Sequence, residues 1–106
     1  MRVTIHQPED ESVILKIEGK VAGLHVPELH RAWQDLAPSL GQRKLQVDLR
    51  GVTHLDGTGR NLLAEIHAKT DAEFVADTPL TKYFAEQAQQ EIEMGPDLNT
   101  KLRRQR

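Results

Sequence analysis

The stretch Asp56-Gly57-Thr58-Gly59 holds the side chains best placed to do chemistry in this 106-residue chain. A carboxylate stands two residues before a hydroxyl, and the glycines on either side of Thr58 leave the approach to it open. Asp56 is the expected N-cap of a helix, because its carboxylate can accept the free N–H groups of the first turn. Thr58 then falls in that first turn, where exposed backbone donors and the positive end of the helix dipole favour added negative charge. A phosphate ester on Thr58 is the modification that such a position tolerates best.

Other chemistries fit the same residues less well. His54, Asp56 and Thr58 together contain the atoms of a nucleophile–base pair. No elbow motif surrounds them, and threonine is a weak nucleophile without an N-terminal amine, so the expectation is that the protein is not an enzyme. Gly57-Thr58-Gly59-Arg60 lacks the spacing and the lysine of a phosphate-binding loop. Among the five histidines there is no His-x-x-x-His pair. His25 and His30 lie five apart rather than the three or four that share a helix face. Neither a metal nor a cofactor is expected.

The segment from Lys44 to Lys69 must position this motif. Leu45, Val47 and Leu49 alternate with Gln46 and Asp48 as in a strand, Arg50 to Leu55 predicts a short loop, and Leu62, Leu63 and Ile66 fall at helical spacing. Upstream, Val3 and Ile5 alternate with Thr4 and His6, and Val13, Leu15 and Ile17 alternate with Ile14, Lys16 and Glu18, on either side of the polar turn Pro8-Glu9-Asp10-Glu11. That pattern predicts an antiparallel hairpin. Pro27 suits the first turn of a following helix. This helix carries Leu29, Ala32, Trp33, Leu36 and Leu40 on one face and Glu28, Arg31, Gln34 and Asp35 on the other, and Pro38 is expected to end or kink it.

Downstream, Ala72 to Asp77 reads as a short buried strand, and Thr78-Pro79 as a cap and first turn. Leu80, Tyr83, Phe84, Ala88 and Ile92 then form a helical stripe, while Gln89 to Met94 reads equally well as a short edge strand. Gly95-Pro96-Asp97 stops the pattern. One domain over residues 1–94 and a basic tail over 95–106 are therefore expected. Strands alternating with helices predict an α/β fold with parallel pairing and an antiparallel edge from the hairpin.

Composition narrows the function classes. The chain is 38% hydrophobic and 28% charged, an ordinary globular balance, and its length allows one modest core. No apolar run is long enough to span a bilayer, and Met1-Arg2-Val3-Thr4 opens no signal-peptide pattern, so no membrane insertion is expected. The lack of cysteine rules out a disulfide framework and a thiol nucleophile, and fits a cytoplasmic location. Four of the 14 basic residues, Lys101, Arg103, Arg104 and Arg106, crowd the last six positions, which leaves ten against 16 acidic residues elsewhere. An acidic body argues against a nucleic-acid-binding face.

Asp48-Leu49-Arg50-Gly51-Val52-Thr53-His54-Leu55-Asp56-Gly57-Thr58-Gly59 resembles the signature of STAS domains. These are the bacterial anti-sigma factor antagonists and the cytoplasmic domains of sulfate transporters. Their signature runs from a strand ending Asp-aliphatic-x-Gly to an Asp-Ser-Ser/Thr-Gly that opens a helix. Its second hydroxyl, the phosphoacceptor of the antagonists, falls on Thr58. Gly19, Val21, Pro27, Glu28 and Leu29 match a second family pattern, in which Ala22 stands where the family often has Asp. Gly57 replaces the first hydroxyl of the motif, and Arg60 replaces its usual leucine. The resemblance covers about Ser12 to Gln87.

The resemblance implies a mixed sheet of four or five strands with helices mainly on one face. It also implies a regulatory protein-interaction module that acts as a monomer or weak homodimer. Its partner would be an anti-sigma factor of the serine/threonine-kinase type, or another STAS protein, bound through Asp56, Gly57, Gly59, Arg60 and Asn61. Phosphorylation of Thr58 would dissociate that partner. The alternative is a module that is never phosphorylated, either a STAS scaffold or an in-trans regulator of an anion transporter of the sulfate type.

Overall fold

A computed structural model describes residues 1–9 and 11–94; the expected basic tail lies outside the described residues. Four strands form one mixed sheet in the order β1-β2-β3-β4. They are β1 (Arg2–Glu9), β2 (Ser12–Val21), β3 (Lys44–Leu55) and β4 (Glu73–Val75). β1 and β2 pair antiparallel, whereas β2 with β3 and β3 with β4 pair parallel. Helix α1 (Val26–Leu40) joins β2 to β3, α2 (Gly57–Thr70) joins β3 to β4, and α3 (Pro79–Met94) follows β4. A three-residue 3-10 turn, Gly23–His25, leads into α1.

Two successive crossovers of one hand, stepping the same way from β2 to β3 to β4, lay both helices on the same face of the sheet. Burial follows this topology. Val13, Leu15, Ile17, Leu45, Val47 and Leu49 point under the helices and are almost fully buried, while Ile14, Lys16, Gln46 and Arg50 on the other face keep some exposure. The α/β architecture with helices on one face is the one expected.

α1 buries Leu29, Trp33, Leu36 and Leu40, spaced four, three and four residues apart. α2 is buried on more than one side, through Gly59, Leu62, Leu63, Ala64 and Ile66, because it packs between α1 and α3 above β3.

Several local expectations are corrected. Arg50 to Leu55 is not a loop: β3 continues through it and pairs with β2 as far as Val21↔Leu55. The register slips by one residue between Lys16 and Glu18 and again between Gly19 and Lys20, so β3 carries extra residues as bulges, which break the simple alternation. At β1, Pro8 and Glu9 belong to the strand, with Glu9 opposite Ser12 after a register shift. An edge strand accepts proline because one row of its N–H groups has no ladder partner to lose. Pro38 neither ends nor breaks α1, which runs on to Leu40. Past the end of the helix, Arg43 donates from Nε to the Leu40 carbonyl at 3.2 Å.

β4 spans three residues rather than six. Gln89 to Met94 is helix. Leu80 and Tyr83 are about half exposed, so the buried side of α3 is carried by Thr81, Phe84 and Ala88 instead. The Thr78 cap is present and reciprocal. Thr78 Oγ1 accepts from the Thr81 N–H at 3.1 Å, and Thr81 Oγ1 accepts from the Thr78 N–H at 3.0 Å, which accounts for the burial of a polar Thr81.

Candidate functional site

The site lies at the junction where β3 delivers the chain into α2. Asp56 is the N-cap, with extended backbone (φ −93°, ψ −178°), and its Oδ1 accepts the Gly59 N–H at 2.8 Å. The same oxygen accepts the Thr58 hydroxyl at 2.8 Å. Oδ2 reaches across the sheet end to the Gly23 N–H at 2.9 Å, a contact spanning 33 residues of sequence. The Asp56 N–H in turn donates to the Val21 carbonyl at 3.3 Å. One carboxylate thereby fastens the start of α2 to the Gly23–His25 turn that follows β2.

These donors set its charge. The Gly59 amide, then the Gly23 amide, then the Thr58 hydroxyl, hold the Asp56 carboxyl below its ordinary 3.8, at about 2. Asp56 is therefore fully ionised near neutrality.

Gly59 is buried, and a Cβ there would stand 2.5 Å from the Val21 carbonyl oxygen and 2.9 Å from Leu55 Cδ1. Glycine lets the helix start sit directly on the strand end, so Gly59 is a packing residue with no side chain to offer a partner. Gly57, Thr58 and Asn61 are exposed, and Asp56 and Arg60 are half-buried. Arg60 folds back toward the helix start, with one terminal guanidinium nitrogen 3.9 Å from where a Gly57 Cβ would be. Thr58 and Asn61 also form one wall of a groove of about 370 Å³, opposite Val26, Pro27 and His30 of α1. Of the five residues expected at a partner surface, Gly59 is buried and the other four keep some exposure.

The Thr58 hydroxyl has a single proton, and that proton is donated to Asp56. His54 is exposed on β3, where it pairs with Lys20. The other histidines of note have local tasks. His25 Nδ1 lies 3.1 Å from Glu28 Oε1. His67 Nδ1 lies 2.9 Å from the Ala72 carbonyl, and its ring stacks on Phe74 with centroids 5.6 Å apart. Among the described residues no three His, Cys, Asp or Glu side chains are grouped to hold a metal ion. No helix among them is long and apolar enough to cross a membrane.

Two features were not found by reading the sequence. Gly23, far upstream, is a partner of Asp56, and nothing local marks it except that glycine suits its φ of +55°. Asp48 is 4% exposed although it lies on the open face of the sheet. It binds Arg50 three times: at the backbone N–H (3.0 Å), at Nε (3.0 Å) and at a terminal nitrogen (2.9 Å). The Arg50 bond is the first cause of a lowered Asp48 pKa. A carboxylate two residues before an arginine was the available signal.

Compared with known proteins, the chain matches no family model, and no curated protein matches it.

Proposed function

We propose that this protein is a regulatory interaction module of the STAS, anti-sigma-factor-antagonist type, switched by phosphorylation of Thr58. The observation that carries the reading is the exposed Thr58 hydroxyl in the first turn of α2, hydrogen-bonded to a carboxylate that stays ionised near neutrality. In the unmodified state a partner binds the surface around Asp56, Gly57, Thr58, Arg60 and Asn61. A serine/threonine kinase transfers the γ-phosphoryl group of ATP to Thr58 Oγ1. The hydroxyl proton is lost and ADP leaves.

The ester brings a charge of about −1.5 to −2 beside the Asp56 carboxylate. Like-charge repulsion and bulk then expel the partner, and a phosphatase restores the hydroxyl. The domain supplies an acceptor and a shaped surface, acts in the cytoplasm, and performs no catalysis itself.

Peptide mass spectrometry of the protein isolated from its native host, alongside a Thr58→Ala variant, tests this. A phosphate on Thr58 that vanishes in the variant is expected. A Thr58 that stays unmodified in both growing and stressed cells would overturn the switch. The hydroxyl bond to Asp56 would then be a helix cap alone, and the reading would pass to a constitutive scaffold or an in-trans regulator of an anion transporter.

A further inference from the structure

We propose that Asp56 ties Thr58 to the Gly23–His25 turn, so that a phosphate on Thr58 releases the turn that presents Leu24. The inference rests on the reading of Thr58 as a phosphoacceptor and concerns how that event reaches the partner surface. The two oxygens of Asp56 face different elements. Oδ1 serves the first turn of α2, through Gly59 and Thr58, while Oδ2 holds the Gly23 N–H at 2.9 Å. The turn itself is short. Its internal support is the His25 N–H on the Ala22 carbonyl at 3.1 Å, followed by the Val26 N–H on the Gly23 carbonyl. A single 3-10 turn has poor hydrogen-bond geometry and little cooperativity, so an external tether matters to it.

Leu24 is what this turn displays. It is 91% exposed, against 41% for Ile5, 50% for Leu80 and 54% for Tyr83. A large apolar side chain held out on a fixed turn loses little freedom when a partner covers it. The apolar wall formed by Val26 and Pro27 follows directly along the chain and lines the groove that Thr58 borders. The partner feature that fits is an apolar pocket receiving Leu24.

Phosphorylation acts on the tether in two ways. Thr58 Oγ1 loses its proton and can no longer donate to Asp56. The phosphate then competes with Asp56 for the Gly59 N–H and the helix dipole, and its charge repels the carboxylate. As Asp56 moves, Gly23 loses its acceptor. Leu24 is then no longer pre-ordered for binding, and this adds to the direct repulsion.

Amide NMR and hydrogen exchange on the ¹⁵N-labelled full chain test the tether with Asp56→Ala and Thr58→Glu. Exchange at Gly23 is expected to rise about tenfold in both variants, the effect of losing a bond worth one decade in the opening equilibrium. The Leu24 and His25 resonances should shift with it, while the amides of Leu15 and Val47 keep their protection. Gly23 exchange in Thr58→Glu equal to that of the wild type would overturn the proposal. Should Asp56→Ala fail to fold, Thr58→Glu, which keeps the capping carboxylate, still decides. None of these measurements needs a kinase. An unmodified Thr58 in the host would sink the switch without touching the tether, and an unmoved Gly23 would sink the tether without touching the switch.

Discussion

Asp48 and Asp56 lie eight residues apart, both carboxylates carry a lowered pKa, and they are held in opposite ways. Asp48 is buried in the middle of β3 and bound to the cation of its near neighbour Arg50. Asp56 sits half-exposed at the strand end, bound to two backbone amides and one hydroxyl. The first arrangement is local and closed: a single arginine supplies all three donors, and Asp48 fixes the backbone where the strand bulges. The second is open and connects three parts of the chain. One of its donors, the Thr58 hydroxyl, is a group that phosphoryl transfer can remove. A carboxylate paired with a cation makes a stable pin, and one held by neutral donors makes a junction that can be altered.

Alanine at each position should separate the two roles. Asp48→Ala leaves the Arg50 amide without its acceptor under a half-exposed guanidinium. It is expected to lower stability by about 2 kcal/mol, the loss of charge-assisted hydrogen bonds to a buried carboxylate, as read from urea unfolding. Asp56→Ala removes a helix cap and should lower Tm by about 5 °C. Its amide-exchange changes should gather at the start of α2 and at Gly23, whereas those of Asp48→Ala should gather around the β3 bulge. Identical exchange maps would erase the distinction.

Acid provides a gentler probe. Both carboxyls have folded-state values below the ordinary 3.8, so their contribution to stability is complete above that pH and is lost as pH falls through the folded values, about 2 for Asp56. Urea midpoints should therefore decline between pH 4 and pH 2, and the decline should be shallower in Asp56→Ala. An unchanged slope would mean that Asp56 carries no linked proton.

The fold was legible wherever one local rule governs. Alternating Val13, Leu15 and Ile17, the stripe Leu29-Trp33-Leu36-Leu40 and the Asp56 cap each follow from a period or a capping preference, and each is where it was expected. The second half of β3 was not legible. Two bulges throw Arg50 to Leu55 out of alternation, and only pairing with β2 makes that segment a strand. Leu80 and Tyr83 looked like core because periodicity places residues on a face without saying what covers it.

At the site, the motif from Asp56 to Gly59 and the position of Thr58 could be read directly. The bond from Asp56 to Gly23 could not, because a backbone amide carries no sequence signature and the contact exists only once β2 and β3 lie side by side. The packing role of Gly59 was hidden for the same reason, since it depends on the Val21 carbonyl brought there by the sheet.

Side-chain carboxyl NMR titration of Asp56, in the wild type and in Thr58→Val, tests most directly whether neutral donors, the Thr58 hydroxyl among them, hold this junction ionised. The account predicts a value of about 2 in the wild type and a rise when the hydroxyl is removed. A carboxyl that titrates at the ordinary 3.8 in both proteins would contradict it, because Asp56 would then be an exposed side chain that neither senses Thr58 nor holds Gly23.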